Sequence, residues 1–100
     1  MKYNKLVRDN IPEIVKQKGG TAIIHIAKEK EYWEKLKEKL REEVEEFNAK
    51  PSMEELADIL EVLDAIIEFK RFSKTKLKKV KKDKKRERGG FEKRIILEES

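Results

Sequence analysis

Two long stretches of the sequence, 28–49 and 52–72, repeat apolar residues with the period of an α-helix, and a proline stands between them. On a wheel at about 100° per residue, Trp33, Leu36, Leu40, Val44 and Phe47 form one stripe of the first stretch. In the second, residues from Met53 through Leu56, Ile59, Val62, Leu63 and Ile66 to Phe69 cover a wider arc, roughly 200°. A helix apolar over half its circumference packs against more than one partner. Pro51 ends the first helix, and Ser52 with Glu55 three residues on reads as a capping box for the second. A turn as short as Ala49-Lys50-Pro51 makes the two helices antiparallel neighbours.

The acids on these helices fall into two groups. Glu43 lies inside the first apolar stripe and Glu46 at its margin, while Glu42 and Glu45 point away. Glu55 lies inside the second arc and Asp58 at its edge, while Glu54 and Glu61 lie outside and Asp64 borders the opposite margin. Both selected pairs are spaced i, i+3, which puts their Cβ atoms about 5–6 Å apart. Four carboxylates turned to a shared apolar face repel one another and lose hydration. A hard divalent cation removes both penalties, and oxygen ligands of this kind suit Mg²⁺, with Mn²⁺ as a substitute. Helical bundles build metal sites in their cores by this arrangement. The acids that point away read as a solvated face.

The rest of the chain is shorter-ranged. A helix is expected to begin near Asp9, with Pro12 in its first turn and Gly19-Gly20 as its stop. Residues 21–26 are short and β-branched and read as a strand; Ile95-Ile96-Leu97 reads as a second, and the two are expected to pair. The fold class is therefore mainly α: a single domain over 1–100, an antiparallel bundle with two long helices plus a short two-stranded β ribbon. With 47% of its 100 residues charged, such a chain is expected to complete its core by dimerisation or higher assembly. There is no cysteine, which excludes disulfides and thiolate metal sites. No stretch approaches the roughly 20 apolar residues of a membrane span, and the first residues do not resemble a signal peptide. A soluble, cytoplasmic protein with no membrane partner is expected.

Charge is distributed unevenly. Lys70 to Arg88 holds twelve basic residues and two acids, so +10 within a chain of net +5, and the remainder carries −5. The basic segment 74–90 reads as partly helical, its order left open by weak periodicity, with Gly89-Gly90 as either a hinge or a turn. His25, the single histidine, is expected to face solvent or a neighbour rather than a metal. Trp33 and Phe47 are expected to anchor the core or a subunit interface.

At this point the motifs resemble a known family. Glu42-Glu43-x-x-Glu46 followed by Glu55-x-x-Asp58 resembles the signature of the all-α, MazG-like nucleoside triphosphate pyrophosphohydrolase superfamily. Tyr3-Asn4-Lys5-Leu6-Val7-Arg8-Asp9, Ile11-Pro12 and Arg88-Gly89-Gly90-Phe91 are similar to a small phosphoribosyl-ATP pyrophosphohydrolase-like branch. The resemblance covers nearly the whole chain. It implies magnesium on Glu43, Glu46, Glu55 and Asp58, and cleavage of a nucleoside triphosphate between the α- and β-phosphates to the monophosphate and pyrophosphate. It also implies homodimers or homotetramers and a house-cleaning role toward the nucleotide pool. Two departures stand out: Asn10 where that branch has a lysine, and Glu87 within the basic run before Arg88.

In such a reaction the protein contributes mostly position and charge. One of the four metal-site carboxylates, Glu43 among them, or Glu42 beside them, is the candidate acceptor of the water proton. Lys5, Arg8, Lys84, Lys85 and Arg88 are the candidate phosphate ligands, arginine as a fork and lysine as a point charge. Phosphoribosyl-ATP, from histidine biosynthesis, is the rival substrate. A reading of another class takes the basic run as a nucleic-acid-binding module. It ranks below the enzyme readings, because it leaves the inward acids unexplained and those acids repel RNA. A helical adaptor without metal is the remaining alternative.

Overall fold

Ser52 turns the chain between its two long helices: in the computed structural model, which describes residues 4–100, its hydroxyl accepts the Glu55 N–H at 3.2 Å. Four helices follow one another, α1 (Ile11–Gln17), α2 (Glu29–Ala49), α3 (Met53–Phe69) and α4 (Lys74–Arg88). The short helix starts at Ile11, with Asn10 rather than Asp9 at the N-cap position and making no side-chain capping bond, and with Pro12 in its first turn. It ends in a Schellman motif, in which Gly19 N–H reaches Lys16 O and Gly20 N–H reaches Val15 O. Gly19 takes φ +86° to make this turn, a conformation glycine adopts without penalty. Tyr3, in the N-terminal block, lies outside the described residues.

The packing of the molecule is the pairing of α2 with α3. Leu36 (1% exposed) and Val62 (8%) form its apolar centre. Toward one end, Trp33 of α2 stacks on Phe69 of α3, ring centroids 5.8 Å apart, and Tyr32 meets the same ring edge-on. Lys70 closes that end, its ammonium 4.0 Å from the Trp33 ring centre. The start of α2 thus lies against the end of α3, and the helices run antiparallel as their short connection requires. Toward the other end the interface holds a charge, Glu43.

Three expectations differ from the structure. No strand forms among the described residues; 21–26 and 95–97 are irregular, and Ile23, Ile26, Ile95 and Ile96 are largely exposed. A strand needs a neighbour to receive its backbone hydrogen bonds, and neither segment meets one. The second long helix stops at Phe69 rather than Phe72, with Arg71 at φ 56° redirecting the chain. The basic segment is one continuous helix from Lys74 to Arg88 rather than helical in part. Ser73 caps α4 by accepting the Lys76 N–H at 3.2 Å, and Gly89 ends it. No helix among the described residues is long and apolar enough to cross a membrane.

Since Leu36 is the one fully enclosed side chain among the described residues, Leu36→Ala is expected to cost about 2–5 kcal/mol in urea unfolding. Ile23→Ala, at 96% exposure, is expected to change stability by less than about 0.5 kcal/mol. Equal effects at the two positions refute this account of the core.

Candidate metal centre

Of the described residues, only Leu36, Val62 and Glu43 are buried, and Glu43 carries a charge. Its place on α2, seven residues after Leu36, turns its carboxylate into the α2–α3 interface, as the wheel predicts. Glu55, three residues into α3, and Asp58, one turn further, approach it from across that interface. One carboxylate oxygen from each of Glu43, Glu55 and Asp58 lies within 4.8 Å of the others. Opposite ligands on Mg²⁺ stand about 4.2 Å apart, so the three oxygens are near enough that they could share one cation. Glu46 is exposed and lies outside this convergence, although its charge still acts on Glu43.

Two of these carboxylate oxygens are buried without a partner. Glu43 is 6% exposed, yet its Oε2 has no hydrogen-bond partner, and neither has the buried Oε2 of Glu55. Buried carboxylate oxygens left in this condition are costly. Glu55 stands at the position where a capping box returns its side chain to the Ser52 N–H, but its carboxylate belongs to the cluster. The partial positive charge at the start of α3 offsets part of the repulsion there.

Basic side chains surround the acids. Lys39 Nζ lies 3.2 Å from Glu43 Oε1 and 3.4 Å from Glu42 Oε1. Lys5 reaches Glu42 Oε1 at 3.6 Å, and Arg8 donates to Asp58 Oδ1 at 2.8 Å. Burial raises the Glu43 pKa above its ordinary value; the hydrogen bond and charge of Lys39 oppose this, and the charges of Glu46 and Asp58 add to it. Burial works to lower the Lys39 pKa, but the bond to Glu43 and the charges of both glutamates outweigh it and hold that pKa above the lysine norm.

Sequence-predicted residues therefore divide. Glu42, Glu43, Glu55, Asp58, Lys5 and Arg8 come together at one end of the α2–α3 pair. Lys84, Lys85 and Arg88 do not: they are exposed on α4, where Lys85 pairs with Glu92 at 3.7 Å. His25 pairs with Glu31 at 2.9 Å, away from the carboxylates. Sequence reading missed Lys39, although its spacing was visible: it precedes Glu42 by three residues and Glu43 by four, and both spacings share a helix face.

The chain matches no family model and no solved structure. It is similar to a protein of Mycolicibacterium smegmatis described as uncharacterized, 47% identical over 45 residues. The match takes in 45% of this chain and 46% of the relative, so the chain aligns with about half of that protein's length.

A carboxylate whose pKa rises on folding binds protons more readily in the folded chain. Its contribution to stability is full below the ordinary value of 4.5 and is lost as pH rises through the elevated folded value. In chelator, the melting temperature of the wild type is expected to fall over that range relative to Glu43→Gln. Parallel profiles for the two proteins rule out a desolvated Glu43.

Proposed function

We propose that this chain is a magnesium-dependent nucleoside triphosphate pyrophosphohydrolase of the MazG-like kind, acting on the nucleotide pool. The observation that carries the reading is the buried, partnerless Oε2 of Glu43, converging with Glu55 and Asp58. Lys5 and Arg8 stand beside it as the phosphate ligands such a reaction needs.

In this reading Glu43, Glu55 and Asp58 hold Mg²⁺, with Glu46 one turn away completing the set. A cation held there would neutralise phosphate charge and lower the pKa of a water molecule. Glu42, half-buried between Lys5 and Lys39, accepts the water proton. Lys5 and Arg8 orient the phosphates for attack at the α-phosphate, and pyrophosphate leaves. Phosphoribosyl-ATP remains the rival substrate with the same chemistry.

Assembly belongs to the same proposal. The radius of gyration is 17.8 Å, against about 13 Å for a compact chain of this length. The accessible area is 9839 Å², against roughly 6,000 Å² for a compact monomer of this mass. Met53, Leu56, Leu60 and Leu63 form an exposed stripe along α3 at alternating spacings of three and four. A second copy packed on this stripe forms the bundle, and it also offers neighbours to the unpaired segments 21–26 and 95–97.

One observation favours a second reading. The α4 helix holds ten basic residues and two acids, is almost wholly exposed, and suits a nucleic-acid backbone. Salt-sensitive RNA binding by a protein that hydrolyses no triphosphate selects that reading.

Pyrophosphate release from a panel of nucleoside triphosphates, with phosphoribosyl-ATP alongside, tests the proposal in Mg²⁺ or chelator. Glu43→Gln and Asp58→Asn are expected to lower release by roughly two to three orders of magnitude with helical content retained, and Glu45→Gln to leave it nearly unchanged. Equal losses at Glu43 and Glu45 refute the site. In light scattering the wild type is expected to show a multiple of the 11.9 kDa chain mass, and Leu60→Glu to shift it toward the monomer.

A further inference from the structure

The carboxylate cluster is partly neutralised by cations of the chain itself, and two of them are held in different ways. Lys39 sits on α2 with its side chain 17% exposed, bridging Glu42 and Glu43 through their Oε1 atoms. It leaves Oε2 of Glu43 open, so Lys39 and a cation can share that carboxylate. Arg8 differs on each count. It lies in the irregular segment before α1, its side chain is 55% exposed, and its guanidinium pairs with Asp58, 2.8 Å from Oδ1. A divalent cation on Asp58 brings a like charge against this guanidinium, and the repulsion is strong at partly buried sites.

We propose that Arg8 is an exchangeable counter-cation: it holds Asp58 in the ion-free protein, a divalent cation displaces it, and the released guanidinium then takes a phosphate group of the substrate. The inference rests on the metal centre proposed above. An arginine cannot discharge by losing its proton, so once displaced it needs another anion. Its planar fork fits phosphate as well as carboxylate. The exposure of Arg8 and its irregular backbone give it room to turn, which the helix denies Lys39. The consequence is an order of binding, cation before phosphate, with each strengthening the other. Arg8 acts on the metal as a positioning residue and on the substrate as a ligand. Its removal affects the two in opposite directions.

The test uses the full chain, Mn²⁺ as the metal and inorganic pyrophosphate as the anion, with free Mn²⁺ read by electron paramagnetic resonance. Arg8→Gln is expected to bind Mn²⁺ about two- to fivefold more tightly than the wild type, the factor an exposed ion pair represents. In saturating Mn²⁺ the same variant is expected to bind pyrophosphate about tenfold or more weakly, the loss of a charge-assisted fork. Arg8→Lys, which keeps the charge, is expected to hold Mn²⁺ within about twofold of the wild type. Lys82→Gln, which removes a like charge from α4, is expected to leave Mn²⁺ affinity unchanged. If Arg8 merely tethers the N-terminal segment, Arg8→Gln lowers the melting temperature without tightening Mn²⁺, and the proposal falls while the metal centre stands. Pyrophosphate bound as tightly in chelator as in Mn²⁺ also overturns it. A wild type that takes up no Mn²⁺ removes the metal centre and this inference together.

Discussion

The Glu43 carboxylate is buried in the seam between α2 and α3, and the rest of the arrangement answers to that burial. An apolar residue at this position extends the core begun by Leu36 and Val62 at no electrostatic cost. A carboxylate loses hydration that the seam does not return, and it meets Asp58 and Glu55 across it. Lys39 supplies part of the compensation, through one oxygen only. The other oxygen, with that of Glu55, is where a helical pair built for stability alone is least economical.

The two ends of the α2–α3 pair consequently do different work. At one, Trp33, Tyr32 and Phe69 bury large rings and a lysine covers the indole, so area and ring geometry hold the helices. At the other, acids face acids; Lys39 pairs with Glu42 and Glu43 of its own helix, while from the segment before α1 Lys5 reaches Glu42 of α2 and Arg8 reaches Asp58 of α3. The apolar end tolerates this because it registers the pair; the polar end gains a site whose charge balance can change. Arg8 and Lys5 connect the N-terminal segment to that end, which ties a stretch without regular structure to the acid cluster.

A single copy leaves much unsatisfied. The outer stripe of α3, the isoleucines of 21–26 and 95–97, and the basic helix α4 are exposed together. The α3 helix has six acids and no base, while α4 carries +8, so the chain contains complementary surfaces that do not cover one another. Apolar stripes with helical spacing and unpaired segments beside them are what an assembled bundle buries, and this is why surface area and assembly enter the proposal together.

Much of this was legible in the sequence. The 3.6-residue period distinguishes Glu43 from Glu42 and Glu45, because a helix assigns faces by spacing alone. Pro51, Ser52 and Gly19 mark helix ends through local backbone chemistry, and the structure uses all three. Strands were not legible on the same terms: β-branched composition states a preference, and pairing needs a partner that 21–26 and 95–97 do not meet. Nor does a wheel show depth: it set Glu46 at the margin of the stripe that contains Glu43, and the structure buries Glu43 while leaving Glu46 exposed. By itself the sequence determined that the two long segments are helices, where the turn between them falls, and which acids share a face, since these follow from periods and caps within each segment. Only the tertiary structure decided that three of those acids converge, that Arg8 reaches Asp58, and that α4 stands apart. Contacts between distant segments depend on how helices pack, and no local spacing encodes that.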